Sequence, residues 1–281
     1  MLIFGKGVKL MIKRITGIIS ALIFAVSCTG CNFTLESKPE EPTSAEALVE
    51  SYYSYLSTQS YSTAYQNCYS LISKGVITEE EYYAAMEREA FLSGMTVVGA
   101  LAESSELVSV YDESDIYLVS GTVKYLKGEE EITDTFSEYV IHQSATGFYR
   151  ILHEGIVSQK IYTMPAVSEK KLHSDQAVIY TTVTGKTLAL TMSNDSISDF
   201  SIGKGDKGPL VEVLGENGKT YSYRFEDPAI MNSGDTVTFT AVYSGLDQQI
   251  TKITLSSIYP VGQDGNVIEN TTGQLYSVSV M

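Results

Sequence analysis

The stretch that decides the fold runs from Ile77 to Leu126 and reads ITEEEYYAAMEREAFLSGMTVVGALAESSELVSVYDESDIYLVSGTVKYL. Its first part has helical spacing, and Thr78 with Glu81 forms the capping box that typically opens a helix. From Met95 the pattern changes to the alternation of β-strands and is rich in β-branched and aromatic residues. The stretch therefore predicts helices followed by an antiparallel sheet, which is the α+β order.

Three helices are expected before the sheet. They are predicted over Ala45–Leu56, Ser62–Ile72 and Glu79–Phe91. Thr43 or Ser44 can cap the first helix, since both carry a hydroxyl beside its start. Cys68 lies on the apolar face of the second helix and is predicted to be a buried thiol. In the third helix, Tyr82 and Tyr83 are predicted to face inward.

Five strands are expected to follow the helices. They are predicted over Thr96–Ala102, Leu107–Tyr111, Ile116–Leu126, Thr133–Gln143 and Phe148–His153. Three helices on a curved antiparallel sheet resemble the nuclear-transport-factor-2-like superfamily, in which helices close one face of a bent sheet to form a cone. The resemblance covers Ala45 to Tyr162 and rests on SAEALVESYYSYLSTQSYSTAYQNCYSLIS, ITEEEYYAAM and TGFYRILHEG. Many relatives have Gly-x-Trp-aliphatic in the last strand, where this chain has Phe148 to Ile151, and an unrelated α+β sandwich is the alternative.

The resemblance implies a pocket inside the cone, where enzymes of this superfamily place an Asp, His or Tyr as acid or base. The residues of this chain that could line such a pocket are Tyr82, Tyr83, Tyr117, Tyr139 and His153. The same tyrosines could equally be core residues. No pair of ionisable groups can be assigned as acid and base from the sequence, so no catalytic residue is predicted.

The C-terminal part is predicted to be all β. Pro165 and the polar run from Ser168 to Lys171 mark a boundary, so we expect an α+β domain over 45–164 and a β-sandwich over 165–281. Short alternating runs separated by turn residues are typical of a sandwich. The pattern resembles the immunoglobulin-like accessory domains of Gram-positive surface lipoproteins. This part has no tryptophan and no cysteine, so the resemblance concerns architecture alone.

The N-terminus has the layout of a bacterial export signal. Four basic residues up to Arg14 precede the uncharged apolar run from Ile15 to Val26, which is too short to span a bilayer. The stretch ALIFAVSCTGC resembles the lipobox of bacterial lipoproteins, which implies lipidation of Cys28 or, alternatively, Cys31. We therefore expect a signal peptide over 1–27 and a disordered tether over 28–44, with a spanning helix or an ordinary secretory signal as alternatives.

Charge and motif content argue against several functions. Removal of the signal takes four basic residues and no acidic one, which lowers the net charge from −15 to −19. Such a chain is repelled by nucleic acid. The two Gly-Lys-Thr sequences, at Gly185 and Gly218, lack the earlier glycine of a P-loop and are predicted to be hairpin turns. Three histidines without helical metal-ligand spacing predict no metal site, and no cofactor is expected.

Two functions follow from these observations. The first is a non-catalytic lipoprotein on the outer face of the cell membrane, which binds an unidentified envelope protein or small ligand. The second is a hydrolase-like or isomerase-like enzyme that uses the cone pocket. A deep pocket that holds His153 against a carboxylate would favour the enzyme, whereas a cone filled by its own tyrosines would favour the binding protein.

Overall fold

The computed structural model describes residues 41–163, 172–205, 207–262, 264–268 and 271–280. The chain divides into two compact units after Ile156. The predicted boundary lies later, between residues 164 and 165. The difference arises because the strand Ile156–Thr163 pairs within a sheet of the second unit. Helices and antiparallel strands together confirm the α+β class.

The described part of the first unit contains four helices where three were expected. They are α1 Ala45–Ser57, α2 Tyr61–Cys68, α3 Leu71–Val76 and α4 Glu79–Ser93. The prediction of one helix over Ser62–Ile72 is wrong, because Tyr69 leaves the helix and forms a parallel β-bridge with Ile151. Ser70 then caps α3, since its side chain accepts a hydrogen bond from the Ser73 amide.

Local sequence signals account for the helix ends. The Ser44 hydroxyl accepts a hydrogen bond from the Ala47 amide at the start of α1. Thr78 and Glu81 form the predicted capping box at the start of α4, and Gly94 ends this helix in the left-handed conformation with φ 68°. No helix among residues 41–163 and the later described segments is long and apolar enough to cross a membrane.

The sheet of the first unit is antiparallel in the order β1-β2-β3-β4. Its strands are β1 Thr96–Tyr111, β2 Ser114–Lys127, β3 Glu130–Gln143 and β4 Phe148–Leu152, and a 3-10 turn follows at His153–Gly155. The two predicted strands that precede Asp112 form the single strand β1. The β1–β2 register shifts between Val97 and Gly99, between Ala102 and Ser104, and between Leu107 and Ser109. Such bulges bend a strand and increase its twist, so β1 is curved rather than straight.

The core of the first unit lies between α1 and one face of this sheet. Leu48, Val49 and Leu56 of α1 are buried there, as their helical spacing requires. Strands β2 and β3 contribute Val119 and Val140, both fully buried. The remaining space is filled largely by aromatic rings. These are Tyr52, Tyr53, Tyr65, Tyr69, Tyr82, Tyr125 and Phe136.

The second unit consists of antiparallel strands in two sheets. The strands are β5 Ile156–Thr163, β6 Leu172–Thr182, β7 Gly185–Asn194, β8 Phe200–Ile202, β9 Leu210–Gly215, β10 Thr220–Arg224, β11 Ala229–Met231, β12 Thr236–Ser244, β13 Ile250–Pro260 and β14 Gln274–Ser279. One sheet has the order β12-β7-β6-β5. The other has the order β10-β9-β13-β8-β11, and β14 pairs with β13.

One cluster of buried side chains includes residues from both sheets of the second unit. Inward rows are formed on β7, where Leu188, Leu190 and Met192 are fully buried, and on β12, where Phe239 and Tyr243 are buried. The first Gly-Lys-Thr sequence begins β7 after a tight β6–β7 connection, and the second spans the β9–β10 connection. Both are therefore hairpins, as predicted.

Candidate functional site

An acidic side chain lies on the inner face of the first unit's sheet. Glu138 on β3 stands between Phe136 and Val140, which are both buried, and opposite the buried Val119 on β2. Since alternate residues of a strand share a face, the Glu138 side chain projects toward the aromatic core. Glu138 itself is only partly buried. A carboxyl group in such surroundings is the first candidate for a functional residue.

Tyrosine side chains from three helical segments surround this carboxyl group. The Tyr53 hydroxyl of α1 donates a hydrogen bond to Glu138 Oε1 over 3.3 Å. The Tyr82 hydroxyl of α4 donates to the Tyr52 hydroxyl, also over 3.3 Å. Tyr69, directly after α2, packs edge-on against Tyr52 and Tyr82, with ring centroids 5.9 Å and 5.3 Å away. We call Tyr52, Tyr53, Tyr69 and Tyr82 the tyrosine cluster.

His153 is the second ionisable residue beside the cluster. In the β3–β4 register Val140 pairs with Ile151 and Tyr139 with Leu152, so Glu138 and His153 would form the next pair. The His153 ring lies 6.2 Å from the Tyr69 ring. The backbone of His153 is held by Ser73, whose hydroxyl accepts from the His153 amide over 2.8 Å and donates to the Ile151 carbonyl.

The electrostatics of the site follow mainly from burial. Desolvation raises the pKa of Glu138 to about 7, and the Tyr53 hydrogen bond opposes this shift. Burial also raises the pKa of Tyr52, Tyr53 and Tyr69 well above the ordinary value. Burial lowers the pKa of His153, and the Glu154 carboxylate opposes that effect. The site therefore favours neutral side chains over charged ones.

Glu138 and His153 are desolvated by their neighbours, yet both retain some surface in contact with solvent. By contrast, Tyr52 and Tyr82 of the neighbouring cluster are buried. Glu138 and His153 therefore lie beside the tyrosine cluster, and we call these two residues with the cluster the Glu138 site.

The structure brings together two of the five residues predicted to line a pocket. Tyr82 belongs to the tyrosine cluster, and His153 contacts Tyr69 of that cluster. Tyr83 was predicted to face inward and is instead 42% exposed, with its ring against Tyr61. The reason is helix geometry, since adjacent residues of a helix point about 100° apart and only Tyr82 can face the core.

The other two predicted residues lie away from the cluster. Tyr117 is on the inner face but toward one end of β2, where its hydroxyl is 3.5 Å from Asp115 Oδ2 and its ring is near Tyr149. Tyr139 is on the opposite face of β3 from Glu138. Its ring packs against Gly155, where an added Cβ would lie 2.8 Å from Tyr139 Cδ2.

The sequence reasoning did not select Glu138, Tyr52, Tyr53 or Tyr69. The sequence does contain a signal for Glu138. This residue interrupts the apolar row formed by Phe136 and Val140, and the strand that carries all three was predicted. An acidic residue on the inward face of a strand needs a partner or a function. The tyrosines gave no comparable signal, since an inward tyrosine on a helix is common in a core.

Other candidate chemistry finds little support. Cys68 is buried with 1% of its surface exposed, and burial raises its pKa to about 12, so its thiol is unreactive in the folded protein. His142 stacks on Tyr149 with ring centroids 4.5 Å apart and does not face His153. Within the described residues, no group of three or more His, Cys, Asp or Glu side chains could hold a metal ion.

Two sets of predictions lie outside the described residues. One is the signal peptide with Cys28 and Cys31, and the other is the Ser168–Lys171 run near the predicted domain boundary. Comparison with known proteins found no match to any family model, any curated protein or any solved structure.

Proposed function

We propose that the chain is an exported bacterial lipoprotein, anchored to the outer face of the membrane through Cys28 or Cys31. Its first unit binds a small ligand at the Glu138 site and does not catalyse a reaction. The export signal and the lipobox resemblance support the anchoring. The net charge of −19 after signal removal supports an exposed, soluble domain without nucleic-acid partners.

For the two units we propose the architectures that the sequence resembles. The first would be a nuclear-transport-factor-2-like cone, for which the bulged strand β1 and the packing of α1 on the sheet are the supporting features. The second would be an immunoglobulin-like β-sandwich, supported by a single core to which two antiparallel sheets contribute. We assign the sandwich the role of an interaction domain or stalk at the cell envelope.

The observation that carries the binding proposal is the position of Glu138. Its carboxyl group is desolvated and accepts a hydrogen bond from the buried Tyr53 hydroxyl. A purely structural core would be better served by an apolar side chain here, because a buried acid costs free energy. A polar group placed among aromatic rings is the usual composition of a small-molecule site.

Catalysis is a second candidate, because burial shifts the pKa values of Glu138 and His153 in opposite directions. Such a pair is typical of a general acid and a general base. Binding is preferred because no hydrogen bond joins the two side chains among the contacts of the described residues. The His153 imidazole instead neighbours the Tyr69 ring and the Glu154 carboxylate.

Metabolic labelling with a palmitate analogue tests the anchoring. The expressed protein should incorporate the label. Replacing one of the two cysteines, Cys28 or Cys31, by Ala should abolish incorporation, and replacing the other should leave it intact. Labelling that survives both substitutions would exclude the lipoprotein proposal.

Ligand-observed NMR on the exported chain tests ligand binding at the Glu138 site. A set of neutral, cationic and anionic small molecules should include binders whose signal is lost in a Tyr52→Ala variant that remains folded. Binders recovered unchanged after prolonged incubation support binding, whereas their conversion to products would establish the enzyme. If no compound binds, the proposed small-molecule function is wrong.

A further inference from the structure

An exposed strip of aliphatic and aromatic side chains lies on the inner face of the first unit's sheet, toward one end of its strands. Two neighbouring rows cross the sheet there, since residues paired across antiparallel strands share a face. The aliphatic and aromatic members of these rows that keep some exposure are Leu107, Val110, Tyr117, His142 and Tyr149. We call these five residues the apolar strip. Its two β1 residues, Leu107 and Val110, are 53% and 60% exposed.

Helix α1 covers the inner face of β1 only up to the edge of this strip. The Glu50 carboxylate accepts the Ala102 amide over 3.1 Å. One turn earlier in the helix, the Ser105 hydroxyl stabilises the Glu46 carboxylate, so these two side chains lie together. Moving back along α1 therefore means moving forward along β1, and the helix begins one residue before Glu46. Helix α1 thus stops short of the apolar strip.

The described chain begins at the opposite end of the same strip. The Glu41 carboxylate binds the Arg150 guanidinium of β4 over 2.9 Å and 3.2 Å, and Arg150 follows Tyr149 of the strip. Residues 32–40 join the described chain at this point. From β4 to β1 the strip crosses three strand spacings, about 14 Å. Six extended residues reach about 20 Å, so Leu35 can reach β1.

The sequence of segment 32–40 fits the strip. It reads NFTLESKPE, in which Phe33 and Leu35 are the two large apolar side chains. They are two positions apart, and alternate residues of an extended segment project to the same side. Contiguous exposed apolar surface marks a contact site. We propose that segment 32–40 lies extended across the inner face of the sheet and packs Phe33 and Leu35 on the apolar strip.

Charge favours this occupant over a second copy of the chain. Asp115 belongs to one row of the strip, and Asp112 and Glu113 are exposed at the adjacent β1–β2 turn. Two copies that met through this surface would bring these carboxylates together, which is unfavourable. Segment 32–40 instead carries Lys38, three residues or about 10 Å of extended chain before Glu41. Asp115 is two strand spacings from β4, also about 10 Å, so the two charges can meet.

Docking of the segment has a consequence for the tether. Cys28 and Cys31 both precede the segment, so the inference is the same for either lipidated cysteine. In the anchored protein only the few residues before Phe33 would remain as free tether, and this end of the sheet would be held near the anchor. The inference depends neither on the lipid nor on a ligand at the Glu138 site.

Thiol labelling of the exported chain tests the proposal. In a background with both N-terminal cysteines replaced by Ser, Val110→Cys places a reporter in the strip. Val242→Cys is the matched control on β12 of the second unit, where the native valine is 50% exposed. Replacing Phe33 and Leu35 by Ser should speed labelling at Val110→Cys by at least about tenfold, because burial of one large apolar side chain shifts an open–closed equilibrium by this order. The rate at Val242→Cys should not change.

NMR on the chain with its native strip gives a direct second measurement. NOEs should connect the ring protons of Phe33 with methyl groups of Leu107 or Val110, and Phe33→Ala should abolish them. Labelling rates at Val110→Cys that are equal with and without Phe33 and Leu35, or absence of these NOEs, would overturn the proposal. Protection that persists without Phe33 and Leu35 and grows with protein concentration would also overturn it, since the occupant would then be a second copy.

Discussion

The hydroxyl group of Tyr53 lies 3.3 Å from Oε1 of Glu138 and joins helix α1 to strand β3 across the core of the first unit. The two residues are distant in sequence, so the contact exists only in the folded chain. It stabilises the ionised carboxylate against the desolvation that its other neighbours cause. This relationship gives measurable consequences for stability and titration.

Replacing Glu138 by Gln should change the pH dependence of stability. The folded pKa of about 7 exceeds the ordinary value of 4.5, so the folded protein binds more protons than the unfolded chain between these values. Stability should therefore fall as pH rises through this window, by up to about 3 kcal/mol. Urea unfolding at pH 5 and pH 8 measures the free energy of unfolding. Its decrease between the two pH values should be smaller in Glu138→Gln than in the wild type. Identical decreases in the wild type and the variant would show that the pKa of Glu138 is not raised in the folded protein.

Replacing Tyr53 by Phe should raise the pKa of Glu138 further, because the hydroxyl currently favours the ionised form. The loss of the hydrogen bond should also lower the free energy of unfolding by about 1 kcal/mol. Tyr82→Phe is the matched control, since the Tyr82 hydroxyl bonds Tyr52 and not Glu138. Carbon-detected NMR titration of the Glu138 carboxyl group measures its pKa in each variant. An equal change of this pKa in Tyr53→Phe and Tyr82→Phe would contradict the prediction.

Replacing Gly121 by Ala should destabilise the first unit by about 1–3 kcal/mol. A Cβ at Gly121 would lie 2.1 Å from the Leu101 carbonyl oxygen and 2.9 Å from Phe136 Cζ, so strand β1 or the ring must move. Gly99→Ala on the neighbouring strand is the control, because its Cβ would meet nothing within 4 Å. Thermal unfolding should separate the two variants, and similar melting temperatures would argue against this packing.

The Cys68 thiol should resist alkylation in the folded protein. It has 1% of its surface exposed, and burial raises its pKa to about 12, so thiolate is scarce at neutral pH. In a chain whose Cys28 and Cys31 are replaced by Ser, an iodoacetamide reagent should label Cys68 rapidly only in denaturant. Fast labelling under native conditions would show that α2 is not packed as described.

Replacing Thr78 by Ala should lower the stability of the first unit by about 1 kcal/mol. The Thr78 hydroxyl accepts a hydrogen bond from the Glu81 amide, and the Glu81 carboxylate accepts one from the Thr78 amide. Thr78→Ser retains the hydroxyl and should recover most of the loss in chemical denaturation. If Thr78→Ser is as unstable as Thr78→Ala, the capping hydrogen bond is not the cause of the lost stability.

Short-range patterns predicted much of the secondary structure, because helix caps, apolar spacing and strand alternation are local properties. Ser44 and Thr78 mark helix starts as expected. The break after Cys68 could not be predicted, since it depends on the bridge between Tyr69 and Ile151, far apart in the sequence. Tertiary contacts of this kind override helix propensity.

The site was less predictable than the fold. Tyr82 and His153 were selected through a family resemblance. Glu138 interrupts an apolar row of β3, but the rings that desolvate its carboxyl group lie on other segments of the chain. The desolvation of a carboxyl group depends on which rings pack around it, and sequence spacing within β3 carries no information about α1 or α2. The three tyrosines of the cluster besides Tyr82 were missed for the same reason.

The irregular register of β1 has a further consequence for contacts between copies of this protein. In the described sheet β1 is an outer strand, and its amides could recruit a strand from a neighbouring molecule. The register shifts interrupt the regular spacing that such recruitment needs, and the Glu50 carboxylate of α1 already accepts the Ala102 amide over 3.1 Å. The irregular edge thus disfavours edge-to-edge aggregation of neighbouring copies.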